Sequence, residues 1–161
     1  MTATLTANRE ALPVRVRAAW TTDLLGVRQI ARADRFTAAY PGRSLGTKLE
    51  EHVRRGLLGV AELDGRLHGF VFIRPTKREG WTKLYWLAVW PSSRRQGVGT
   101  ALLAYAWQRA PHDLLCLQVD ADNADAIAFY RARGFEEYGR LKEATREELL
   151  MSATRPREPG G

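Results

Sequence analysis

Residues 84–100 read LYWLAVWPSSRRQGVGT, an apolar stretch followed by a basic turn whose two glycines open into a helix. Gly97 and Gly99 let the backbone come close to a ligand, because glycine has no Cβ to stand between them. The free N–H groups of the helix start, together with the positive end of the helix dipole, make a site for an anion. Arg94 and Arg95 add positive charge for phosphate oxygens. The stretch therefore predicts a cradle for a pyrophosphate group.

Two better-known phosphate motifs do not match this turn. A Walker loop needs Gly-x-x-x-x-Gly-Lys-Ser/Thr, and no lysine follows the glycines here. The dinucleotide fingerprint needs the order Gly-x-Gly-x-x-Gly, and the third glycine is missing. Glycine-containing turns before helices are common, so the turn alone does not identify the ligand.

Residues 122–135 read DNADAIAFYRARGF and predict a second helix with marked ends. Asp122 or Asn123 is a good N-cap, because a short polar side chain can accept a hydrogen bond from the first turn. Asp125 suits that first turn, where the helix dipole favours negative charge. Gly134 stands where a left-handed C-terminal cap belongs.

One face of this helix carries Asn123, Ala126 and Tyr130, because residues three and four apart are neighbours on a helix. An amide, a small residue and a phenol along one stripe suit a ligand that lies along the helix. The alternative is that Tyr130 and Phe129 are ordinary core aromatics. The helix by itself leaves both interpretations open.

Together the two stretches resemble the GNAT superfamily of acyl-CoA-dependent N-acyltransferases. The phosphate motif of that family, Gln/Arg-x-x-Gly-x-Gly/Ala, is matched by Arg94, Gly97 and Gly99. Its later motif, Asn-x-x-Ala-x-x-Phe-Tyr-x-x-x-Gly-Phe, is matched by Asn123, Ala126, Phe129, Tyr130, Gly134 and Phe135. The two motifs occur in the family's order and at about its separation, so the resemblance is specific over residues 84–135. In layout it extends over about residues 14–154.

The resemblance implies an α/β fold with a mixed, mostly antiparallel sheet of about seven strands and helices on both faces. The hydrophobic periodicity agrees, since it predicts a strand, two helices, three strands, a helix, a strand, a helix and two strands. One N-acetyltransferase domain would occupy residues 1–161, with a core over about 14–154 and short loose tails.

The local signals make further predictions about the elements. Thr21 or Thr22 is expected to cap the first helix, and Asp64-Gly65 is expected to form a hairpin turn. Further along the chain, the pattern predicts a helical stripe of Leu45, Leu49 and Val53, a helix over about Val98 to Arg109, and two strands after Phe135.

The resemblance also implies a mechanism. Acetyl-CoA would lie between the fourth and fifth strands, an amine acceptor would attack its thioester directly, and Tyr130 would act as the general acid for the departing sulfur. The acceptor would be a small molecule, a protein N-terminus or a lysine side chain. The residues expected to bind acetyl-CoA are Leu87, Ala88, Val89, Arg94, Arg95, Gln96, Gly97, Val98, Gly99, Thr100, Asn123, Ala126, Phe129 and Tyr130. The alternative is a non-catalytic module that senses acyl-CoA or binds a partner through the same fold.

The general base is not evident from the sequence. Many members of the family place a carboxylate on the fourth strand, but residues 81–90 contain no Asp or Glu. Asp120 is the nearest acidic candidate, at the end of the predicted fifth strand, although a capping carboxylate before Asn123 explains it equally well. Glu62 is another candidate if its side chain faces the cleft. A water relay, or an acceptor of low pKa, would need neither.

The histidines and the cysteine predict no metal site. His52, His68 and His112 share no metal-ligand spacing, and one cysteine cannot complete a zinc site. His68 is a further candidate for the acceptor site. Cys116 lies in an apolar run, which favours the packed position of a small hydrophobic residue. A single cysteine, no apolar signal region and no run of membrane-spanning length predict a cytoplasmic protein without membrane contact.

The formal net charge of +7 does not by itself predict a nucleic-acid partner. The basic residues are scattered, no nucleic-acid-binding motif accompanies them, and a pyrophosphate explains Arg94 and Arg95. The acceptor is expected to be recognised by residues 36–43, 74–81 and 138–147. Three tryptophans of the fourth strand would wall an acceptor pocket, pack in the core or make a homodimer contact: Trp81, Trp86 and Trp90.

Overall fold

The structure of the protein is a computed structural model that describes residues 14–34, 36 and 48–157. Its strands are β1 Arg15–Ala18, β2 Leu58–Leu63, β3 Arg66–Pro75, β4 Trp81–Val89, β5 Leu114–Asp120, β6 Glu136–Glu143 and β7 Arg146–Thr154. Its helices are α1 Leu24–Ala33, α2 Lys48–Arg54, α3 Val98–Arg109 and α4 Ala124–Arg131, with 3₁₀ turns at Thr21–Asp23 and Pro91–Ser93. This order of elements confirms the predicted one. None of the helices in the described part of the chain is long and apolar enough to cross a membrane.

The strands form one seven-stranded sheet in the order β1-β2-β3-β4-β5-β7-β6. The β4–β5 pair is parallel, and the other neighbouring pairs are antiparallel. Side chains alternate between the faces of a strand. Phe70 and Phe72 of β3 accordingly pack with residues of α1 and α2, while Val71 and Ile73 pack with α3. The prediction of a mixed, mostly antiparallel sheet between helices is confirmed.

Strands β4 and β5 separate in the middle of the sheet. They pair over three positions, where residues 81–83 lie opposite residues 114–116, and no pairing joins them beyond Lys83. The register between β3 and β4 shifts at the same place, so that Tyr85 is an extra residue between the partners of Phe72 and Ile73. Such a bulge bends a strand and increases its twist. The bulge therefore accompanies the opening of a gap that runs through the sheet.

The predicted cap of the first helix is wrong. Thr21 and Thr22 are exposed and lie in the 3₁₀ turn. Asp23 is the N-cap residue of α1, and its carboxylate makes no cap hydrogen bond to that helix but closes the preceding 3₁₀ turn. Its Oδ2 accepts a hydrogen bond of 2.7 Å from the Trp20 N–H group and another of 2.7 Å from Arg17 Nη1. The ion pair with Arg17 thus holds the Asp23 carboxylate in this position, and a local capping pattern in the sequence does not predict such a contact.

The other local predictions agree with the structure wherever it describes the residues. Asp64 and Gly65 have φ values of +53° and +71°, which is the type I′ geometry of a two-residue hairpin. Helix α3 has the predicted bounds, and two strands follow Phe135. Leu49 and Val53 lie on α2 and face the core, whereas Leu45 of the same predicted stripe lies outside the described residues.

Candidate active site

The turn between β4 and α3 has the backbone shape of an anion cradle. Arg94, Arg95 and Gln96 are exposed, and Arg95 adopts a left-handed φ of +64° that is uncommon for a residue with a side chain. Gly97 at the N-cap has a φ of +79° and offers no side chain to the N–H groups of the first turn of α3. The turn therefore presents cations and free amide donors on the same surface, as a phosphate group requires.

His68 and Ser93 hold this turn on the sheet. Ser93 is buried, and its hydroxyl shares a short hydrogen bond with Nδ1 of His68 on β3. The Trp90 N–H group donates to the carbonyl oxygen of His68 at 2.7 Å. Nδ1 of His68 is therefore engaged with the turn, and a role of His68 at the acceptor site stays a prediction.

The two glycines of the cradle have different roles. A Cβ on Gly97 would meet no atom within 4 Å, so the positive φ is what requires glycine there. A Cβ on Gly99 would lie 3.1 Å from Cε2 of Phe129. Gly99 thus lets α3 pack closely against α4, and the ring of Phe129 is the part of α4 that packs there.

Helix α4 has the predicted caps. Oδ1 of Asn123 accepts a hydrogen bond of 3.2 Å from the Ala126 N–H group. At the other end Gly134 has a φ of +87°, and the Phe135 N–H group donates to the Tyr130 carbonyl oxygen at 3.1 Å, as in a Schellman motif. These caps fix the helix on which Asn123 and Tyr130 share a face.

The gap between β4 and β5 forms a cleft lined by residues of β4 and by the Asn123–Tyr130 face of α4, whereas no residue of the turn over 91–100 is among its lining residues. Its lining residues are Asp34, Phe36, Leu84, Tyr85, Trp86, Leu87, Leu117, Gln118, Val119, Asp120, Asn123, Ala126, Tyr130 and Glu148. Five of the predicted site residues are among them: Leu87, Asp120, Asn123, Ala126 and Tyr130. Ala88 instead packs against the α1 and α2 side of the core.

Tyr130 is buried at the bottom of this arrangement, with 7% of its surface exposed. Its ring makes edge contacts with Phe129 and Phe135, at centroid distances of 5.3 and 5.4 Å. Burial raises the pKa of Tyr130, and the negative charge of Asp34 raises it further. The phenol therefore keeps its proton at neutral pH and can donate a hydrogen bond into the cleft. It is a core aromatic and a cleft residue at once.

Asp120 makes a local capping contact and also lies at the cleft. Its Oδ1 accepts a hydrogen bond of 2.9 Å from the Asp122 N–H group, and its Oδ2 lies 3.9 Å from Nε of Arg146. It also lines the cleft. Glu62 does not, because it lies on β2 in an ion pair of 2.9 Å with Nε of Arg17. The proposal of Glu62 as a base is therefore wrong.

Two acidic residues of the cleft were missed by the sequence analysis. Glu148 lies opposite Asp120 in the register of β5 and β7 and is 8% exposed. Asp34 ends α1, and its Oδ1 accepts a hydrogen bond of 3.2 Å from the Phe36 N–H group. No local signal marks either residue, since only strand register and helix packing bring them to the cleft.

The remaining candidates have structural surroundings. His52 packs edge-on against Phe72, and Nδ1 of His112 lies 3.0 Å from Oγ1 of buried Thr82. No group of three or more His, Cys, Asp or Glu side chains in the described part of the chain could hold a metal ion. Cys116 is a buried free thiol whose pKa is raised by burial, as expected of a packed hydrophobe.

The three tryptophans do not act as one cluster. Trp81 contacts Tyr138 at a centroid distance of 5.5 Å and lies 3.8 Å from the guanidinium carbon of Arg78. Trp86 lines the cleft, and Trp90 is partly exposed at the start of the cradle. Of the three, Trp86 alone is among the residues that line the cleft.

Comparison with known proteins agrees with this geometry. The family model described as acetyltransferase (GNAT) family matches residues 23–135. A 5-NmdU N-acetyltransferase of Pseudomonas phage PaMx11 is 30% identical over 111 residues, which are 69% of this chain and 79% of that protein. The peptidyl-lysine N-acetyltransferase YiaC of Escherichia coli is 43% identical over 76 residues, so the chain spans about half of its length (47%). The crystal structure of a ribosomal-protein-alanine N-acetyltransferase from Brucella melitensis superposes with a TM-score of 0.72 at 26% identity, over 87% of this chain and 99% of that one.

The matched region contains the cradle, the whole of α4 and every cleft-lining residue except Glu148. It covers well over half of the chain, and the phage relative is matched over more than two thirds of its own length. The matches identify an acyl-CoA-dependent enzyme, and the opened strand pair, the glycine turn and the buried tyrosine lie in the matched region. The chain is a member of the GNAT family of acetyltransferases.

Proposed function

We propose that this protein transfers the acetyl group of acetyl-CoA to an amine, with Tyr130 donating its proton to the departing sulfur. The observation that carries this proposal is the position of Tyr130, which lines the gap between β4 and β5 on the same helix face as Asn123 and Ala126. A buried phenol of raised pKa suits a donor and does not suit a base.

The residues present fit acetyl-CoA. Among the described residues, no strand pairs with the edge of β4 that faces the gap beyond Lys83. The backbone at Leu87 and Val89 is therefore available to the amide groups of a pantetheine arm. The exposed Arg94 and Arg95 and the amides of the first turn of α3 would hold the pyrophosphate. When bound, acetyl-CoA supplies an acetyl group activated as a thioester.

In this proposal the phenol of Tyr130 transfers its proton to the sulfur late in the reaction. A free tyrosine has a pKa of about 10 and a thiol about 8.5, so full transfer to a free thiolate is uphill by about 2 kcal/mol. Burial raises the pKa of Tyr130, which widens this difference, and the same dry surroundings raise the proton affinity of the leaving sulfur, which offsets the widening. Tyr130 therefore acts first as a hydrogen-bond donor to the sulfur, and the proton follows as the bond to carbon breaks.

Asp120 is the base of this proposal, directly or through a water molecule. An alkyl amine has a pKa of about 10.4 and arrives protonated at neutral pH, so it has to lose a proton before attack, and in this proposal a carboxylate at the cleft takes it. Asp120 lines the cleft, and Glu148 stands beside it on the neighbouring strand. Glu148 is the alternative base that the strand register adds.

The acceptor amine enters from the side of β6 and β7. A second cavity there adjoins the cleft and shares Gln118 and Glu148 with it, and its other lining residues are Leu141, Glu143 and Arg146. The relatives are named for 5-NmdU, a peptidyl lysine and a ribosomal-protein alanine, so likeness to them favours no single acceptor. The proposed acceptor is therefore an amine on a small molecule or on a protein.

The test is thiol release from acetyl-CoA against a panel of amines, polyamines, amino acids and N-terminal and lysine peptides, with Tyr130→Phe as the matched variant. We expect turnover on at least one class and a loss of about ten- to ten-thousand-fold in the variant, the range for a general acid. The Phe ring keeps the contacts with Phe129 and Phe135, so acetyl-CoA affinity should change little.

Two results would contradict the proposal. Unchanged turnover in Tyr130→Phe would remove the tyrosine from the reaction. Tight acetyl-CoA binding without turnover on any acceptor would favour the sensor alternative, which the absence of Asp and Glu from residues 81–90 keeps open.

A further inference from the structure

Arg133 joins the two motifs of the acetyl-CoA site from a position just beyond α4. Its Nη2 donates a hydrogen bond of 2.7 Å to Oγ1 of Thr100, in the first turn of α3. Its Nη1 donates to the Phe129 carbonyl oxygen at 2.9 Å. The guanidinium carbon lies 3.7 Å from the centroid of the Phe129 ring. These contacts hold one cation between α4 and the start of α3.

The hydrogen bond between Arg133 and Thr100 can have only one direction. A guanidinium group has donors and no acceptor, so the Thr100 oxygen must accept. The hydroxyl proton of Thr100 therefore remains for a second partner, and none of the described residues accepts it. Arg133 thus converts a hydroxyl, which can donate or accept, into a donor.

The first turn of α3 is where such a donor is useful. Thr100 is exposed there, three residues after Gly97, and it adjoins the free amides of the cradle. An anion at this helix start gains from each added donor, and a charge-assisted network is stronger than a lone hydroxyl contact. A rigid position also matters, because a donor that is already oriented loses less entropy on binding.

We propose that Arg133 is a positioning residue that orients the Thr100 hydroxyl as a donor to the pyrophosphate of acetyl-CoA. This inference rests on the proposed function, since it takes the cradle to be the pyrophosphate site. The contact with Phe129 adds a second consequence, because it ties the helix that carries Tyr130 to the turn that holds the ligand.

The experiment compares Arg133→Ala, Thr100→Val and the double variant by calorimetric binding of CoA. Each single variant is expected to weaken binding about tenfold, the size of one lost hydrogen bond with a charged partner. The double variant is expected to lose no more than about this, because the two side chains act as one unit. Arg131→Ala is the matched control. The Arg131 side chain is largely exposed, and its ion pair with Glu137 is long, at 3.8 Å between Nη2 and Oε2.

A second measurement separates positioning from folding. S-acetylpantetheine lacks the pyrophosphate, so the preference of kcat/KM for acetyl-CoA over S-acetylpantetheine is expected to fall about tenfold in each variant. Most of the change should be in KM, and Arg133→Lys should restore part of it. Thr100→Val removes only the hydroxyl and still gives an answer if Arg133→Ala fails to fold.

Three outcomes would overturn the inference. Losses of the two single variants that add in the double variant would mean that the side chains act separately. Equal losses of kcat/KM with both acyl donors would mean a structural role alone. CoA affinity unchanged in Thr100→Val would remove the hydroxyl from the site. Failure of the wild-type protein to bind CoA would instead contradict the proposed function itself.

Discussion

Asp120 and Glu148 are adjacent carboxylates at one wall of the cleft, on strands that pair with each other. If Asp120 is the base, Asp120→Asn should lower kcat by about 100-fold or more at neutral pH. The loss should shrink toward about pH 10, where the acceptor amine deprotonates by itself. The measurement is the pH profile of kcat for wild type, Asp120→Asn and Glu148→Gln.

The comparison between the two variants decides the assignment. A large loss in Glu148→Gln together with a small loss in Asp120→Asn would transfer the role to Glu148.

At the residue scale, the sequence could place Tyr130 and Asn123 on one helix face, because helical spacing is local. It could not bring Glu148 or Asp34 to the same cleft, because their positions depend on the register of β5 with β7 and on the packing of α1.

Helix α3 is held at its C-terminal end by one side chain from beyond β7. Arg155 donates to the carbonyl oxygens of Trp107, Ala110 and His112, and its Nε lies 2.8 Å from Oδ1 of Asp113. Arg155→Ala should lower the free energy of unfolding by about 1–2 kcal/mol, because a carbonyl in the last turn of α3 and two in the segment after it lose a charged donor. Urea unfolding measures the change.

The control for this prediction is Arg157→Ala, two residues away on the exposed terminal segment. An equal effect of both substitutions would show that net charge, and not the contact with α3, is responsible. Since α3 also begins at the cradle, Arg155→Ala tests whether the helix that presents the amides is fixed from both ends.

The start of α1 depends on the charge of Asp23. Burial alone would raise the pKa of Asp23, but hydrogen bonds from Arg17 and from the Trp20 N–H group outweigh it and lower the pKa. A carboxyl whose folded-state pKa is lowered stabilises the fold above its unfolded pKa of about 3.9, and this contribution disappears as the pH falls through the folded value.

Asp23→Asn should therefore be less stable than wild type at pH 7, and the difference should narrow below about pH 4. Urea unfolding across this pH range measures it, with Asp64→Asn at the exposed hairpin turn as the control. A difference that stays constant with pH would mean that the amide loses packing rather than charge.

At the scale of the whole molecule, the sheet has a weak middle. Strands β4 and β5 pair at only three positions, and the cleft occupies the rest of that boundary. A ligand that binds there contacts both halves of the sheet. Its binding site exists only on the folded chain, so binding stabilises that state. Acetyl-CoA at 100 times its Kd should add about 2.7 kcal/mol of stability and raise Tm by about 5–10 °C.

A thermal unfolding series with acetyl-CoA checks this prediction, and S-acetylpantetheine at the same concentration is the comparison. The smaller compound lacks the part that the cradle holds, so its shift should be smaller. Equal shifts for the two compounds would show that the cradle contributes no binding energy.

The amino-acid sequence by itself determined the two motifs, the element order and the caps of α4. Each of these depends on local chemistry: glycines at positive φ, an amide that accepts from the first turn, and apolar residues at helical or strand spacing. That is why residues 84–100 and 122–135 pointed to one ligand before any contact was known.

Only the tertiary structure decided what surrounds that ligand site. The separation of β4 from β5, the acidic residues at the cleft, the Asp23 cap and the bridge from Arg133 to Thr100 join residues that are distant in the chain. Such contacts depend on strand register and helix packing, for which a local stretch of sequence contains no signal. The sequence therefore specified the chemistry of acyl transfer, and the packing of the sheet and helices specified which side chains share the cleft.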